Sequence, residues 1–140
     1  MDKFKIYGAG QMSGLTYEAM NSWRVEAINL LKKKTDKVSF LNPCDYYNFS
    51  TFEEMKASEK EVKVFDLNQV RHSNLVLVKL SNSIGTAQEL QVAEDNNIPI
   101  VGFGYSEGIH PWILLNLSKK CETLEEAINY ICEFYISAFN

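Results

Sequence analysis

The stretch Leu75-Val76-Leu77-Val78-Lys79-Leu80, followed by Ser81-Asn82-Ser83-Ile84-Gly85, decides how this chain folds. A near-continuous apolar run closed by small polar residues and glycine reads as a strand buried on both faces, the habit of a parallel sheet. Thr86 to Asn96 then reads as a helix with Leu90 and Ala93 on its buried side, and Ile98 to Phe103 as the next strand. Pro99 sits near the start of that strand, where a missing N–H costs least. Upstream, Phe4 to Ala9 reads as a first strand that enters the turn Gly10-Gln11-Met12-Ser13-Gly14. Met20, Trp23, Ala27, Leu30 and Leu31 recur at helical spacing, which predicts a helix from Thr16 to about Lys34. Val38 to Leu41 is a further strand, and Ser58 to Arg71 a helix of imperfect period.

Between those two lies an aromatic segment with Tyr46, Tyr47, Phe49 and Phe52, which either covers a core edge or walls a pocket that stacks on a flat ring. Beyond the loop Gly104–Gly108, His110-Pro111-Trp112 opens a short helix, since proline is tolerated in a first turn. Thr123 caps a final helix carrying Leu124, Ala127, Ile128, Ile131, Cys132 and Tyr135. Strands alternate with helices throughout. The expectation is an α/β fold: a single domain over residues 1–140, a Rossmann-like or flavodoxin-like three-layer sandwich with a mainly parallel sheet. Ligands of such sheets bind beyond the carboxyl ends of the strands. The turns Gly10–Gly14 and Ser81–Gly85 are therefore the places to look.

Composition narrows the function. The chain has 140 residues, 46% of them hydrophobic and 23% charged, a globular balance that excludes a disordered chain. Its 14 basic and 18 acidic side chains give a net charge of −4, which argues against a nucleic-acid polymer as partner. Cys44, Cys121 and Cys132 are odd in number and form no CxxC pair, so neither a disulfide framework nor a zinc site is expected. His72 and His110 have no partners at metal-ligand spacing. The N-terminal residues have no signal-peptide character and no run is long enough to span a membrane, so a cytoplasmic location is expected.

Three side chains stand out chemically. Glu89 falls in what reads as the first turn of the helix after the central strand, where the helix dipole is expected to lower its pKa. An ionised, fixed carboxylate there can attack the anomeric carbon of a sugar. Thr86-Ala87-Gln88-Glu89 equally reads as a capping box, a pattern shared by Ser58–Glu61 and Thr123–Glu126. Asp66, inside the apolar run Val62–Leu67, is either a solvent-facing helix residue or a second working carboxylate. Tyr7 near the end of the first strand is either a core aromatic or a site residue. Gly10 and Gly14 bracket a turn that could cradle a phosphate, although it is neither a GxGxxG fingerprint nor a P-loop.

Taken together, these motifs resemble the nucleoside 2-deoxyribosyltransferase family. The resemblance rests on Lys5-Ile6-Tyr7-Gly8-Ala9-Gly10-Gln11-Met12-Ser13-Gly14-Leu15, on Asp66-Leu67 followed by Arg71 to Val78, and on Ser83-Ile84-Gly85-Thr86-Ala87-Gln88-Glu89-Leu90 with Ala93 and Ile98-Pro99-Ile100. It covers most of residues 4–103, and His110-Pro111-Trp112 is similar to the smaller bacterial and phage members.

The resemblance implies cleavage of the N-glycosidic bond of a 2′-deoxynucleoside and transfer of the deoxyribosyl group to another nucleobase, as in nucleotide salvage. It implies no cofactor, and a homo-oligomer whose active sites are shared between subunits. Glu89 would be the nucleophile at C1′, Tyr7 would orient it, and Asp66 would assist departure of the base. Gly10, Ser13, Gly14, Ser83 and Gly85 would bind the substrate. Family transferases carry an acidic residue where this chain has Ser83, and the related 2′-deoxynucleoside 5′-phosphate N-hydrolases carry serine there. Those hydrolases also have an arginine where this chain has Ser13. Nucleoside transfer, hydrolysis of a monophosphate, and a non-catalytic nucleotide-binding sensor all stay open at this level.

Overall fold

Strand β3 (Leu75–Lys79) lies at the centre of the sheet, and its side chains alternate between two cores. It pairs in parallel with β1 (Phe4–Ala9), from Ile6↔Leu75 to Ala9↔Val78. On its other side it pairs in parallel with β4 (Ile100–Phe103), from Val76↔Ile100 to Lys79↔Phe103. β2 (Val38–Leu41) continues the sheet outside β1, and the short β5 (Lys119–Lys120) outside β4. This computed structural model describes residues 2–46 and 59–139, and in it the strand order is β2-β1-β3-β4-β5. That is the flavodoxin-like order, and the parallel sheet is the one that the alternation of strands and helices predicts.

Two helical layers cover the sheet. On one face, Ile6, Leu75, Leu77 and Val101 pack against Trp23, Ala27 and Leu31 of α1 (Tyr17–Lys34) and Ala127 and Ile128 of α5 (Leu124–Tyr130). On the other, Tyr7, Val76, Val78 and Ile100 meet Val70 of α2 (Glu59–Arg71), Leu90 and Ala93 of α3 (Ile84–Asp95), and Ile113 of α4 (Pro111–Leu115). Each large aliphatic side chain buried this way contributes about 1.5–3 kcal/mol. Gly8 is required by close approach: a Cβ built there would lie 2.6 Å from the Phe40 ring.

Several boundaries differ from the sequence expectation, each for a local reason. α3 begins at Ile84, not Thr86, because the Ser83 hydroxyl accepts the Thr86 N–H at 3.3 Å and takes the cap. β4 starts at Ile100; the Ile98 N–H turns back to the Ala93 carbonyl at 2.9 Å instead of joining the sheet. β5 has two exposed lysines and therefore no hydrophobic signal; backbone bonds from Ser118 to Ile100 and from Cys121 to Gly102, both 2.8 Å, create it. The last helix passes from α5 into a π-helical turn, Ile131–Tyr135. Thr123 caps α5 as expected, and Thr16, read as the first helical residue, is instead the cap of α1. Of the aromatic segment, Tyr46 packs edge-on against Phe65 with ring centroids 5.7 Å apart. Tyr47, Phe49, Phe52 and the capping residue Ser58 lie outside the described residues. Among the described residues no helix is long and apolar enough to cross a membrane.

Candidate functional site

Because β1 and β3 are neighbours while their crossovers run to opposite sides, the turns that follow them face each other across a gap. A cavity of about 910 Å³ opens there. Gly10, Ser13 and Gly14 line it from the turn after β1, and Ser83 and Gly85 from the start of α3. Asp66 and Glu89 line it as well, so seven of the residues singled out from sequence share one cavity. Tyr7 does not line it. It is 1% exposed, lies behind Glu89 and donates its phenolic hydrogen to Glu89 Oε2.

Each side chain arrives by a local cause. Gly14 has φ +83°, a conformation that glycine adopts without strain, and it closes the first turn. The Ser83 hydroxyl donates to Thr86 Oγ1 at 2.6 Å while accepting the Thr86 N–H. The first bond of the helix runs from the Ala87 N–H to the Ser83 carbonyl, so the amides of Ile84 and Gly85 have no acceptor within it and remain donors for a ligand. Asn82 pins the neighbouring loop, donating to the Gly108 carbonyl at 2.7 Å and accepting the His110 N–H at 2.8 Å. His110 is exposed rather than packed; its Nδ1 caps α4 by accepting the Trp112 N–H at 3.1 Å.

The cap expected at Glu89 is overturned. Glu89 is the sixth residue of α3, not in its first turn, and its carboxylate takes the Tyr7 hydroxyl instead of a terminal amide. The expected lowering of its pKa is overturned too. Burial raises it to about 8, with a contribution from the Asp66 charge, against the opposing pull of the Tyr7 hydrogen bond and Arg24. Past the first turn the helix dipole has little hold, and desolvation decides the sign. Asp66 is no solvent-facing residue: burial lifts its carboxyl to about 7, with Arg24 opposing. Burial also pushes the Tyr7 phenol well above its usual range, helped by the charges of Glu89 and Asp66.

Sequence reasoning passed over Lys63 and Glu59, which share a face of α2 with Asp66 and line the cavity. The signal was the poor period of α2. Only Val70 of this helix is buried, because the face carrying Glu59, Val62, Lys63, Asp66 and Leu67 borders the cavity and not the core. Also passed over was Arg24, completely buried on α1. Its signal was a cation at an i, i+4, i+7 core position between Met20 and Ala27. Among the described residues, no group of three or more His, Cys, Asp or Glu could hold a metal ion.

The raised Glu89 carboxyl has a consequence for stability. A folded-state pKa of about 8 against an ordinary 4.5 means that the folded protein binds this proton more tightly than the unfolded chain. That stabilisation is complete below the ordinary value and is lost as pH rises through the folded one. Glu89→Gln, which keeps an acceptor for Tyr7, should match wild type within about 0.5 kcal/mol at pH 4.5. It should exceed it by about 1 kcal/mol or more at pH 8.5, one unit of differential pKa being about 1.4 kcal/mol. Thermal unfolding at the two pH values checks this, with a Tm gap of roughly 2–4 °C expected at the higher pH. A variant that loses ground to wild type as pH rises would reject the raised pKa.

No protein-family model matches the chain, and no curated protein matches it in sequence. Solved structures do match. A conserved protein from Enterococcus faecalis V583 superposes with a TM-score of 0.72 at 18% identity, covering 94% of this chain and 98% of the other. A 2-deoxyribosyltransferase from the psychrotolerant bacterium Bacillus psychrosaccharolyticus superposes with a TM-score of 0.66 at 21% identity, covering 90% of this chain and 91% of that one. At such identities the likeness is one of fold: this chain has the five-stranded parallel α/β architecture of a 2-deoxyribosyltransferase over nearly its whole length.

Proposed function

We propose that this protein cleaves the N-glycosidic bond of a 2′-deoxynucleoside and transfers the deoxyribosyl group to another nucleobase. The observation that carries this reading is the Glu89 carboxyl, held by the Tyr7 hydroxyl in the wall of a cavity that it shares with Asp66. The fold shared with a 2-deoxyribosyltransferase supports it.

In the first half-reaction the ionised Glu89 attacks C1′. The C1′–N bond breaks with its electron pair going to the base, and the protonated Asp66 gives the base its proton. A deoxyribosyl ester of Glu89 remains. In the second half a nitrogen of the incoming base attacks C1′, the ester C–O bond breaks to restore the carboxylate, and Asp66 takes the displaced proton. Two inversions retain configuration, and the steps balance with no cofactor. Asp66 near 7 suits a group that gives and takes a proton around neutrality. The active form holds one proton between Glu89 and Asp66, and the two titrate as a pair. Two shifted carboxyls meeting in one cavity favour chemistry over a non-catalytic sensor. Gly10, Ser13, Gly14, Ser83 and Gly85 would hold the sugar side.

Chromatography of deoxyinosine or deoxycytidine incubated with a free base tests the reading. Wild type should form the exchanged nucleoside, with a bell-shaped pH dependence of kcat/KM whose optimum falls between the two shifted carboxyls, about 7 and about 8. Glu89→Ala should abolish turnover while folded. Asp66→Asn should lower kcat and kcat/KM together, by roughly 10²–10⁴. Substantial turnover in the folded Glu89→Ala protein, or a rise in KM alone for Asp66→Asn, would sink these roles.

A second reading, hydrolysis of a 2′-deoxynucleoside 5′-monophosphate, is favoured by two observations: the cavity wall carries Lys63, and Ser83 stands where a carboxylate would repel a phosphate. The two readings part at Ser83→Asp. A carboxylate there should cripple use of a monophosphate and spare or improve use of a nucleoside, whose neutral hydroxyl contact is worth about 0.5–1.5 kcal/mol. Wild type should prefer the nucleoside, since the first turn has Ser13 and no arginine. A preference for the monophosphate above about tenfold, some 1.4 kcal/mol, would promote the hydrolase.

We also infer a homo-oligomer with shared sites. Ile84, a cavity residue, is 77% exposed, and Trp112 and Leu115 on α4 are exposed to a similar degree. Such apolar side chains mark surfaces for a partner. Sedimentation at micromolar concentration should give a particle larger than one chain; a fully active monomer would refute the assembly.

A further inference from the structure

Arg24 is the largest fully buried side chain among the described residues, and it stands on the core face of α1 where an aliphatic residue would serve packing. Its Nε donates to the Gly8 carbonyl at 3.1 Å and its Nη2 to the Gly10 carbonyl at 3.2 Å. Its Nη1 donates to the Met20 carbonyl and lies 3.8 Å from Cys44 Sγ. The guanidinium carbon stands 4.6 Å from the centroid of the neighbouring Trp23 ring. None of these partners is a carboxylate. Carbonyl oxygens satisfy the donors but leave a full positive charge in a desolvated place, which is costly without a counter-charge. Cys44 does not supply it, because burial pushes the thiol up and keeps it protonated.

Resting on the transferase reading above, we propose that Arg24 is a positioning residue of the site: its guanidinium is the counter-charge that lets Glu89 ionise, and it clamps the end of β1 and the first glycine of the substrate turn. The clamp is direct, and the charge is placed by it: a buried cation is fixed under the end of β1, whose Tyr7 hydroxyl holds Glu89. Gly8 and Gly10 flank the exit of β1, one residue from Tyr7 and at the start of the cavity turn, so one planar fork fixes Tyr7 and that turn together. The charged and titratable groups around Glu89 are Tyr7 from β1, Asp66 from α2 and Arg24 from α1. Those around Arg24 include Cys44, Glu89 and Tyr7, and its charge also reaches Asp66. Lys63 and Glu59 of α2 also line the cavity, so Arg24 is the buried cation of the set and Lys63 an exposed one. The field of Arg24 opposes the burial that raises both carboxyls, and an arginine stays charged at every pH the protein meets.

The test compares Arg24→Gln, which keeps amide donors and removes charge, with Arg24→Lys, which keeps charge, and Arg24→Met, which keeps neither. Two readouts are followed in each folded variant. One is the pH profile of kcat/KM for deoxyribosyl transfer. The other is the carboxyl-carbon NMR titration of Glu89, which needs no substrate. In the neutral variants the Glu89 midpoint and the acidic limb of the profile should both move up by about one pH unit, a roughly tenfold loss of ionised Glu89 at neutral pH. Part of the lost activity should return at high pH. Arg24→Lys should keep the limb within a few tenths of a unit of wild type and lose mainly in KM, since a lysine cannot make the fork.

Equal loss in all three variants with the Glu89 midpoint unmoved would overturn the proposal, as would failure of all three to fold, which assigns Arg24 to stability alone. A wild-type protein that turns over no deoxynucleoside overturns the transferase reading instead. The NMR titration then still decides whether Arg24 supplies the counter-charge of Glu89.

Discussion

The parallel pairing of β1 with β3 is the constraint on which the rest depends. These strands are separated by more than sixty residues in sequence, yet their last paired residues, Ala9 and Val78, stand side by side. The chain leaves β1 towards β2 on one side and leaves β3 towards β4 on the other. Nothing in the sheet then fills the space between the two departing turns. A cleft forms at that point by topology alone, lined by backbone and by whichever side chains the two helices present.

The chemistry of the cleft follows from what lies beneath it. Tyr7 points to the same face as Val76 and Val78, so its hydroxyl surfaces between β1 and α3, where Glu89 meets it. Burial there works against ionisation of both Glu89 and Asp66. The opposing forces are one phenolic hydrogen bond and one guanidinium beneath the turn. Their balance keeps the two carboxyls within reach of neutrality, whereas an exposed pair would be fully ionised and a buried pair without a cation fully protonated. In the proposed reaction the pair shares one proton, which must sit on Asp66 when Glu89 attacks. The structural role of Arg24 and its electrostatic role draw on different atoms: the N–H fork holds carbonyls, and the net charge acts at longer range.

α2 shows how a cavity distorts a sequence signal. A helix that only supports a core displays a clean apolar stripe. Here Val70 alone is buried in the core, while Val64 and Phe65 are partly exposed and the face bearing Asp66 borders the cavity. The imperfect period of this segment is the imprint of a helix whose inner face is shared between the core and a cavity.

What the sequence by itself determined were the elements whose stabilisation is local or periodic. β1 and β2 match their apolar runs to the residue, Thr16 and Thr123 cap where their side chains reach the first free amides, and the alternation of strands and helices specifies a parallel α/β sheet. Asp66, Ser83 and Glu89 were singled out through the family resemblance, and all three line the cavity. Only the tertiary structure decided that Glu89 is bonded to Tyr7 and not to a helix end, and that its pKa rises instead of falling. The sign of a pKa shift depends on desolvation and on charges brought from other elements, and no local pattern encodes either. β5 is likewise decided by partners far along the chain, since two exposed lysines become a strand only through the carbonyls and amides of β4. Arg24 belongs to both levels: its helical position marked it for the core, but only the folded chain brings Gly8, Gly10, Met20 and Cys44 around its charge.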